Sequence, residues 1–166
     1  MYYSCLYIFD YICIEFKLMY CMDKVTRGIR NNNPFNIRYS NNNWLGKVEY
    51  YKNSDKAFEQ FLDIDYGLRA GIQLLRGYIS RGYDTPRLII NRFAPPTENE
   101  TNSYLHSVYC FSGVTLDTKI LYNSFDFYNL CKAICKIESN YDFTPEHYRD
   151  VCLRFKLCKP YNFLTN

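Results

Sequence analysis

The segment from Phe125 to Tyr141, FDFYNLCKAICKIESNY, is the strongest structural signal in the chain. At about 100° per residue, its apolar side chains fall on one arc of a helix. That arc consists of Phe127, Leu130, Cys131, Ile134, Ile137 and Tyr141, and the opposite side consists of Tyr128, Asn129, Lys132, Lys136 and Ser139. Glu138 is the exception, because its direction lies inside the apolar arc, close to the predicted C-terminus. The pattern predicts a core helix with one carboxyl group on its apolar side.

Two effects at this position favour the neutral form of the Glu138 carboxyl group. Apolar neighbours disfavour a charge, and the negative end of the helix macrodipole disfavours an anion. A carboxyl group that keeps its proton near neutrality is what a general acid requires. The alternative is that the helix ends one residue earlier and that Glu138 points into solvent as an ordinary charge at a frayed end.

Length and composition limit the classes of protein that the chain can form. With 166 residues, 48% of them hydrophobic, it can bury one core, and we expect a single domain over residues 22–166. Charged residues make up 22% and the net charge is +3, which argues against a disordered tail and a strongly basic nucleic-acid binder. The 18 Tyr and 12 Phe residues offer surfaces that stack on sugars or bases, and biased coding explains the same composition.

The first 21 residues are apolar but are interrupted by Asp10, Glu15 and Lys17. A transmembrane helix needs about 20 apolar residues with few charges, and a signal peptide needs a basic start and a small-residue cleavage site. The segment matches neither pattern. We interpret it as a peripheral extension or a misplaced start, because Met22 begins a segment that reads like a natural start. No stable membrane insertion is expected.

The eight cysteines do not follow a metal-binding pattern. No CxxC pair occurs, and the two histidines, His106 and His147, are isolated. We expect reduced thiols that pack as small hydrophobic groups, which fits intracellular synthesis, and we expect neither a metal ion nor a cofactor.

Periodicity and turn signals predict an α+β domain that is mostly helical. Three short β segments, at 36–39, 48–51 and 57–61, are expected to form a small antiparallel sheet. Helices are predicted over 66–81, 86–93, a segment that ends at Gly113, the Glu138 segment, and a segment that begins at Pro145. Their predicted N-caps are Asp63 or Asp65, Thr85, Thr97 or Asn99, and Thr144.

Helix faces follow from the same apolar positions. The second predicted helix is expected to bury Leu88, Ile89 and Phe93, and the last one Val151, Leu153, Phe155 and Leu157. Glycines 67, 71 and 77 lower the helix propensity of the first predicted helix, which indicates close packing of another backbone.

Five motifs occur in a fixed order: RGIRNNNPFNIR at 27–38, Trp44-Leu45-Gly46, the 58–61 strand, Gly67-Leu68-Arg69-Ala70, and NRFAPPTENET at 91–101. As a set they resemble a family of phage and viral virion-associated proteins with lysozyme-like folds, over roughly residues 27–140. The family pattern reads NPGNI, whereas this chain has Phe35 in place of the glycine. The difference bears on the local turn, because glycine permits positive φ and phenylalanine does not readily do so.

Three segments also resemble enzymes that cleave bacterial glycan strands. The segment around Asn36, Trp44 and the 58–61 strand is similar to the β-lobe that borders the glycan groove of glucosaminidases. Glu100-Thr101 to Val108 resembles a helix of lytic transglycosylases, and Ala133-Ile134 to Glu138-Ser139-Asn140 resembles the stretch that carries their catalytic acid. In those enzymes the Glu-bearing helix precedes the β-lobe. The resemblance therefore implies a circularly permuted lysozyme-like domain, which is tolerable where the original termini lie close together.

This resemblance implies that Glu138 is the catalytic acid and that Asn36, Trp44, Glu100 and Tyr104 bind substrate. Cleavage of a glycosidic bond requires a proton on the leaving oxygen and stabilisation of an oxocarbenium-like transition state. In lytic transglycosylases one Glu acts first as acid and then as base while a hydroxyl of the sugar attacks, so a second carboxylate is not needed.

Several of these residues also have simpler interpretations. Trp44 is either a core side chain or a platform for a sugar, Tyr104 is either a groove hydroxyl or a core aromatic, and Glu100 is either a groove residue or a helix-start charge. Arg27 and Arg30 either bind an anionic glycan or support the Asn-rich turn.

Three further acids are candidates for the second carboxylate of a hydrolase. Glu59, Asp63 and Asp65 lie near the predicted sheet, and the alternatives for them are a solvent-facing strand residue or a helix cap. Ser139 is not a credible nucleophile, because no histidine is placed to activate it.

We expect an enzyme that cleaves peptidoglycan glycan strands, of the lytic transglycosylase or glucosaminidase type, in virus entry or release. It would be made in the host cytoplasm and would be virion-associated or act on the cell wall. Its expected partners are peptidoglycan and other virion proteins, and not nucleic acid. The alternative is a catalytically silent virion structural protein, or a glycan-binding module with the same fold.

Overall fold

The computed structural model describes residues 25–95 and 101–157. Helices dominate the described residues, in agreement with the mostly helical fold that the sequence predicts. They are α1 (Arg27–Arg30), α2 (Ile64–Ile79), α3 (Pro86–Phe93), α4 (Thr101–Ser112), α5 (Phe125–Ser139) and α6 (Pro145–Arg154). The extension at residues 1–21 and the cap candidates Thr97 and Asn99 lie outside the described residues.

Four helices begin at side-chain caps, and three of these caps are among those that the sequence predicts. Asp63 accepts hydrogen bonds from the backbone amides of Asp65 and Tyr66, which resolves the cap of α2 in favour of Asp63. Thr85 and Thr144 cap α3 and α6, each followed by a proline at the first helical position. Ser124 caps α5 through the Phe127 amide at 3.1 Å. These caps satisfy amides that have no partner within their helices.

The predicted sheet is reduced to two isolated antiparallel bridges in the part of the chain that the structure describes. Arg38 pairs with Phe58, and Lys47 pairs with Phe61. The predicted strand at 48–51 is wrong over its second half, because the amides of residues 52 and 53 turn back onto the Glu49 carbonyl oxygen at 2.9 Å. Tyr51 is 75% exposed, so no packing holds this segment extended.

The hydrophobic core lies between α5 and the helices around it. Helix α4 packs along α5, α1 meets the C-terminal part of α5, and α2 contacts α3 and α6. The largest fully buried apolar side chains are Phe35, Phe61, Leu68, Ile72, Leu75, Ile89, Ile90, Ile120, Phe127, Leu130 and Ile134. Cys131, Cys135 and Cys152 are buried free thiols, and Cys110 is an exposed one.

Some helix faces differ from those expected. Leu88 and Leu153 are exposed, whereas Val151 and Leu157 are buried as predicted. Helix α6 also buries Tyr148 and Cys152. The expected set on α6 followed every second residue, which is the period of a strand, whereas a helix places residues three and four apart on one face.

Helix α5 buries two residues that were expected on its polar side. Tyr128 packs against the rings of Phe143 and Tyr148, and Ser139 is enclosed by the 26–34 segment. Neighbours from other parts of the chain cover this side of the helix.

Candidate functional site

Glu138 lies in the last turn of α5, which continues to Ser139. Asn140 then ends the helix in a left-handed conformation with φ of 52°. The side chain is half-buried rather than directed into solvent at a frayed end. The earlier helix end that was the alternative is therefore wrong.

Both carboxylate oxygens of Glu138 accept hydrogen bonds from residues that the sequence placed at the site. The Tyr104 hydroxyl donates to Oε1 at 2.8 Å. Asn36 Nδ2 is 3.2 Å from Oε2 and also donates to the Glu138 backbone carbonyl oxygen at 2.8 Å. Three segments that are far apart along the chain thus converge on one carboxyl group.

A dense set of hydrogen bonds holds Asn36 in place. The buried Asn33 side chain donates to the carbonyl oxygens of Ile37 and Glu59, both at 2.9 Å, and accepts from the Ile37 amide at 3.0 Å. Asn36 itself has φ of 47°, a conformation that asparagine tolerates better than most residues. The Asn-rich segment therefore forms a rigid loop that presents one amide side chain to Glu138.

Helix α1 and the loop that follows it are attached to the end of α5. Thr26 donates to the Ser139 carbonyl oxygen at 2.7 Å, and the Ser139 hydroxyl donates to the Pro34 carbonyl oxygen at 2.8 Å. Gly28 faces Ser139 so closely that a Cβ there would lie 1.8 Å from the hydroxyl oxygen. The Ser139 hydroxyl thus joins the end of α5 to the loop that follows α1.

Glu138 lines a cleft of about 430 Å³. One wall comes from α1 and the loops before α2, and the other comes from α2 and α3. The lining residues are Arg27, Asn36, Ile37, Arg38, Ser40, Asn42, Trp44, Phe58, Leu74, Tyr78, Phe93, Ala94 and Glu138. Glu138 is the only carboxylate among them.

Two buried polar atoms of the cleft residues have no hydrogen-bond partner among the described residues. They are Asn36 Oδ1 and Trp44 Nε1. A buried polar atom that lacks a partner costs about 1–3 kcal/mol. Trp44 is half-buried, packs against the core and lines the cleft, so it belongs to both the core and the wall.

The Tyr104 hydroxyl is a donor at all ordinary pH values. Burial, followed by the neighbouring Glu138 carboxylate, raises the pKa of Tyr104 well above its usual value. An ionised phenol beside a carboxylate would bring two negative charges together in a partly buried site. Tyr104 therefore acts as a neutral group that orients Oε1.

None of the three candidates for a second carboxylate lines the cleft. Glu59, for which the alternative was a solvent-facing strand residue, is fully buried, and its carboxylate lies 3.1 Å from Lys47 Nζ. Asp63 caps α2. Asp65 forms hydrogen bonds with His147, at 2.8 Å, and with Arg154. Burial alone would raise the pKa of Asp65, but these hydrogen bonds outweigh burial and hold the pKa below its usual value.

The buried Glu59 organises one wall of the cleft. Its Oε1 accepts hydrogen bonds from the amide and hydroxyl of Ser40, both at 3.0 Å. Lys47 Nζ donates to Ser40 O at 2.6 Å and to Asn42 O at 3.3 Å. The ion pair thus holds the 40–42 loop, in which Ser40 and Asn42 line the cleft.

Other residues of the site were not found from the sequence. Leu74, Tyr78 and Phe93 form the apolar wall, and their helical periodicity indicates only that they face the interior. Of the two arginines considered for an anionic ligand, Arg27 lines the cleft and Arg30 does not. Glu100, the remaining expected substrate-binding residue, lies outside the described residues.

Among the described residues, no group of three or more His, Cys, Asp or Glu side chains is placed to hold a metal ion. In the same part of the chain, no helix combines the length and apolar character needed to cross a membrane.

The chain is similar in sequence to a phage protein. The chain is 35% identical over 103 residues to protein P5 of Pseudoalteromonas phage PM2, and these residues make up 60% of this chain. They span 63% of the phage protein, slightly less than two thirds of its length. No protein-family profile matches the chain. The similarity to P5 supports the assignment of the chain as a phage or viral protein.

Proposed function

We propose that the chain cleaves the glycan strands of peptidoglycan, with Glu138 as general acid and then base, in a circularly permuted lysozyme-like domain. The observation that carries this proposal is the convergence of Tyr104 and Asn36 on the Glu138 carboxyl group in a cleft of about 430 Å³. Concave sites with a few converging polar groups on an apolar wall are typical of ligand-binding and catalytic sites.

The chemistry requires only one carboxyl group. Protonated Glu138 donates to the glycosidic oxygen as the C1–O bond breaks, which gives an oxocarbenium-like transition state and a neutral leaving hydroxyl. A hydroxyl of the same sugar then forms a bond to C1 and releases its proton to the Glu138 carboxylate. This route produces an anhydro sugar and restores the acid. It fits a cleft whose described lining contains a single carboxylate.

The neighbouring side chains support this step by position. Tyr104 and Asn36 fix the orientation of both carboxyl oxygens, which keeps the proton donor aimed at one point in the cleft. Trp44 offers an aromatic surface for a sugar ring, and its Nε1 is a hydrogen-bond donor that the described residues leave unpaired.

The first experiment is mass analysis of soluble fragments released from purified peptidoglycan by the wild-type chain and by Glu138→Gln. Glutamine is nearly isosteric with glutamic acid but has no carboxyl proton to donate, so we expect release by wild type alone. Anhydro-muropeptides would indicate a transglycosylase, and fragments with reducing ends would indicate a hydrolase. Equal release by the two proteins would show that Glu138 is not the acid.

The second candidate is a virion structural or glycan-binding module without activity. It is favoured by the Glu138 hydrogen bonds, because two donors already occupy the carboxyl oxygens and no second acid lines the cleft. No release by a folded wild-type chain that still binds peptidoglycan would support this candidate. In either case we propose that the protein is virion-associated or acts on the cell wall, in keeping with its phage relative.

A further inference from the structure

Two arginines and one aromatic ring lie together in the lining of the cleft. The Arg27 guanidinium carbon is 4.5 Å from the centre of the Phe58 ring, and that of Arg38 is 5.6 Å from the same centre. All three residues line the cleft that contains Glu138. A ring stacked with a guanidinium group holds the plane of that group while leaving its edge accessible.

Arg27 keeps most of its hydrogen-bonding capacity for a ligand. Its one ion pair joins Nε to Asp55 Oδ2 at 3.5 Å, and 53% of the side chain is exposed. Asp55 Oδ2 also accepts a hydrogen bond from Asn31 at 2.9 Å. The terminal amino groups of Arg27 make no hydrogen bond to the described residues. They form the edge of a planar fork that binds a carboxylate with two parallel hydrogen bonds.

Glycan strands that could fit the cleft differ in whether they carry carboxylates. Chitin-like strands are neutral, whereas peptidoglycan strands carry a lactyl ether on alternate sugars, either with a free carboxylate or extended by a peptide that bears carboxylates. A neutral strand offers the exposed edge of this guanidinium group no charged partner, whereas a carboxylate on the strand matches its planar fork.

We propose that Arg27, held on the Phe58 ring, is an anionic subsite that binds a carboxylate on the lactyl substituent of the glycan, and so selects peptidoglycan over neutral strands. The inference rests on the proposed function for the identity of the polymer. It concerns recognition, and it is separable from catalysis by Glu138.

The test measures binding by calorimetry with the full chain carrying Glu138→Gln, so that no ligand is consumed. The probes are peptide-bearing peptidoglycan fragments, peptide-free fragments with a free lactyl carboxylate, and chitohexaose. Arg27→Gln is expected to weaken binding of the carboxylate-bearing fragments about tenfold, and to leave chitohexaose within about twofold. Arg30→Gln, one helical turn away and outside the cleft lining, is the matched control and should change neither. A loss with the peptide-free fragments assigns the lactyl carboxylate as ligand, and a loss with peptide-bearing fragments alone assigns the peptide.

Three results would overturn the subsite. They are equal weakening for charged and neutral probes, no weakening for either, or no binding of any carboxylate-bearing fragment. Arg27→Lys keeps the charge but not the planar fork, so it should retain part of the preference for carboxylate-bearing over neutral fragments. Such retention would show that the Arg27→Gln result comes from the lost charge and not from a disturbed loop. If the proposed cleavage is wrong but the subsite is correct, the result is different. The wild-type chain then binds carboxylate-bearing fragments selectively but releases no fragments from peptidoglycan.

Discussion

At the scale of single residues, the site depends on how firmly one carboxyl group is held. Glu138 lies in the last turn of α5. Its two oxygens are oriented from two other segments, by the Tyr104 hydroxyl at 2.8 Å and the Asn36 amide at 3.2 Å. A side chain fixed at both oxygens has lost its rotational freedom before a ligand arrives, which is an advantage in proton transfer.

Tyr104→Phe tests this orientation. The change removes one hydroxyl and leaves Oε1 without its donor, so we expect the rate constant of fragment release to fall about tenfold, with little change in the Michaelis constant. Initial rates on peptidoglycan provide the measurement. Tyr109→Phe, an exposed tyrosine of the same helix, is the control and should match wild type. A Tyr104→Phe rate equal to that of wild type would remove Tyr104 from the proposed mechanism.

At the scale of the elements, the packing of α2 explains how the chain accommodates Phe35 at the position that is glycine in the NPGNI pattern it resembles. Phe35 is fully buried, and its backbone does not adopt positive φ. Asn32 and Asn36 are the residues of this loop that have positive φ. The ring lies against Gly71, where a Cβ would be 1.9 Å from Cδ2 of Phe35. Gly67 meets the Asn32 carbonyl oxygen in the same way, as the sequence predicted, whereas Gly77 has no close backbone neighbour.

Substitution of the α2 glycines distinguishes packing from helix propensity. Gly71→Ala is expected to lower the free energy of unfolding by about 1–3 kcal/mol because the methyl group collides with the Phe35 ring. Gly77→Ala, whose Cβ would meet only Arg81 at 3.7 Å, should be neutral or stabilising by up to about 1 kcal/mol. Urea unfolding measures both. Equal effects at the two positions would contradict the packing argument.

At the scale of the whole molecule, buried thiols make the free energy of unfolding depend on pH in the alkaline range. Burial raises the pKa of both Cys131 and Cys135 above that of an ordinary thiol. The folded state therefore keeps two protons that the unfolded chain releases above about pH 8.5. Their contribution to stability is complete below that pH, and it is lost as the pH rises towards the folded-state values.

We expect the free energy of unfolding to fall by about 1.4 kcal/mol per pH unit for each of these thiols once the unfolded thiols are ionised. The measurement is urea unfolding under reducing conditions from pH 7 to 9.5. The upper limit is chosen because ordinary tyrosines ionise at higher pH. Cys131→Ala combined with Cys135→Ala should be less stable at neutral pH but should show a flatter decline over this range. If the free energy of unfolding of the double variant fell as steeply with pH as that of wild type, the pH dependence would come from other groups.

Local sequence determined the helices and several of their ends. The caps at Thr85 and Thr144 and the stop at Asn140 follow from hydrogen bonds and dihedral preferences within a few residues of each site. Such preferences act within one turn and are therefore visible in the order of the amino acids.

Tertiary structure alone decided what surrounds Glu138. Asn36 is 102 residues away along the chain and Tyr104 is 34 residues away, and their hydrogen bonds depend on how α1, α4 and α5 pack. The same holds for Glu59, whose simpler interpretation was a solvent-facing strand residue and whose carboxylate the half-buried Lys47 accommodates in the interior. Local pattern shows which residues are polar, but whether a polar group is buried depends on a partner that only the folded chain brings within hydrogen-bonding distance.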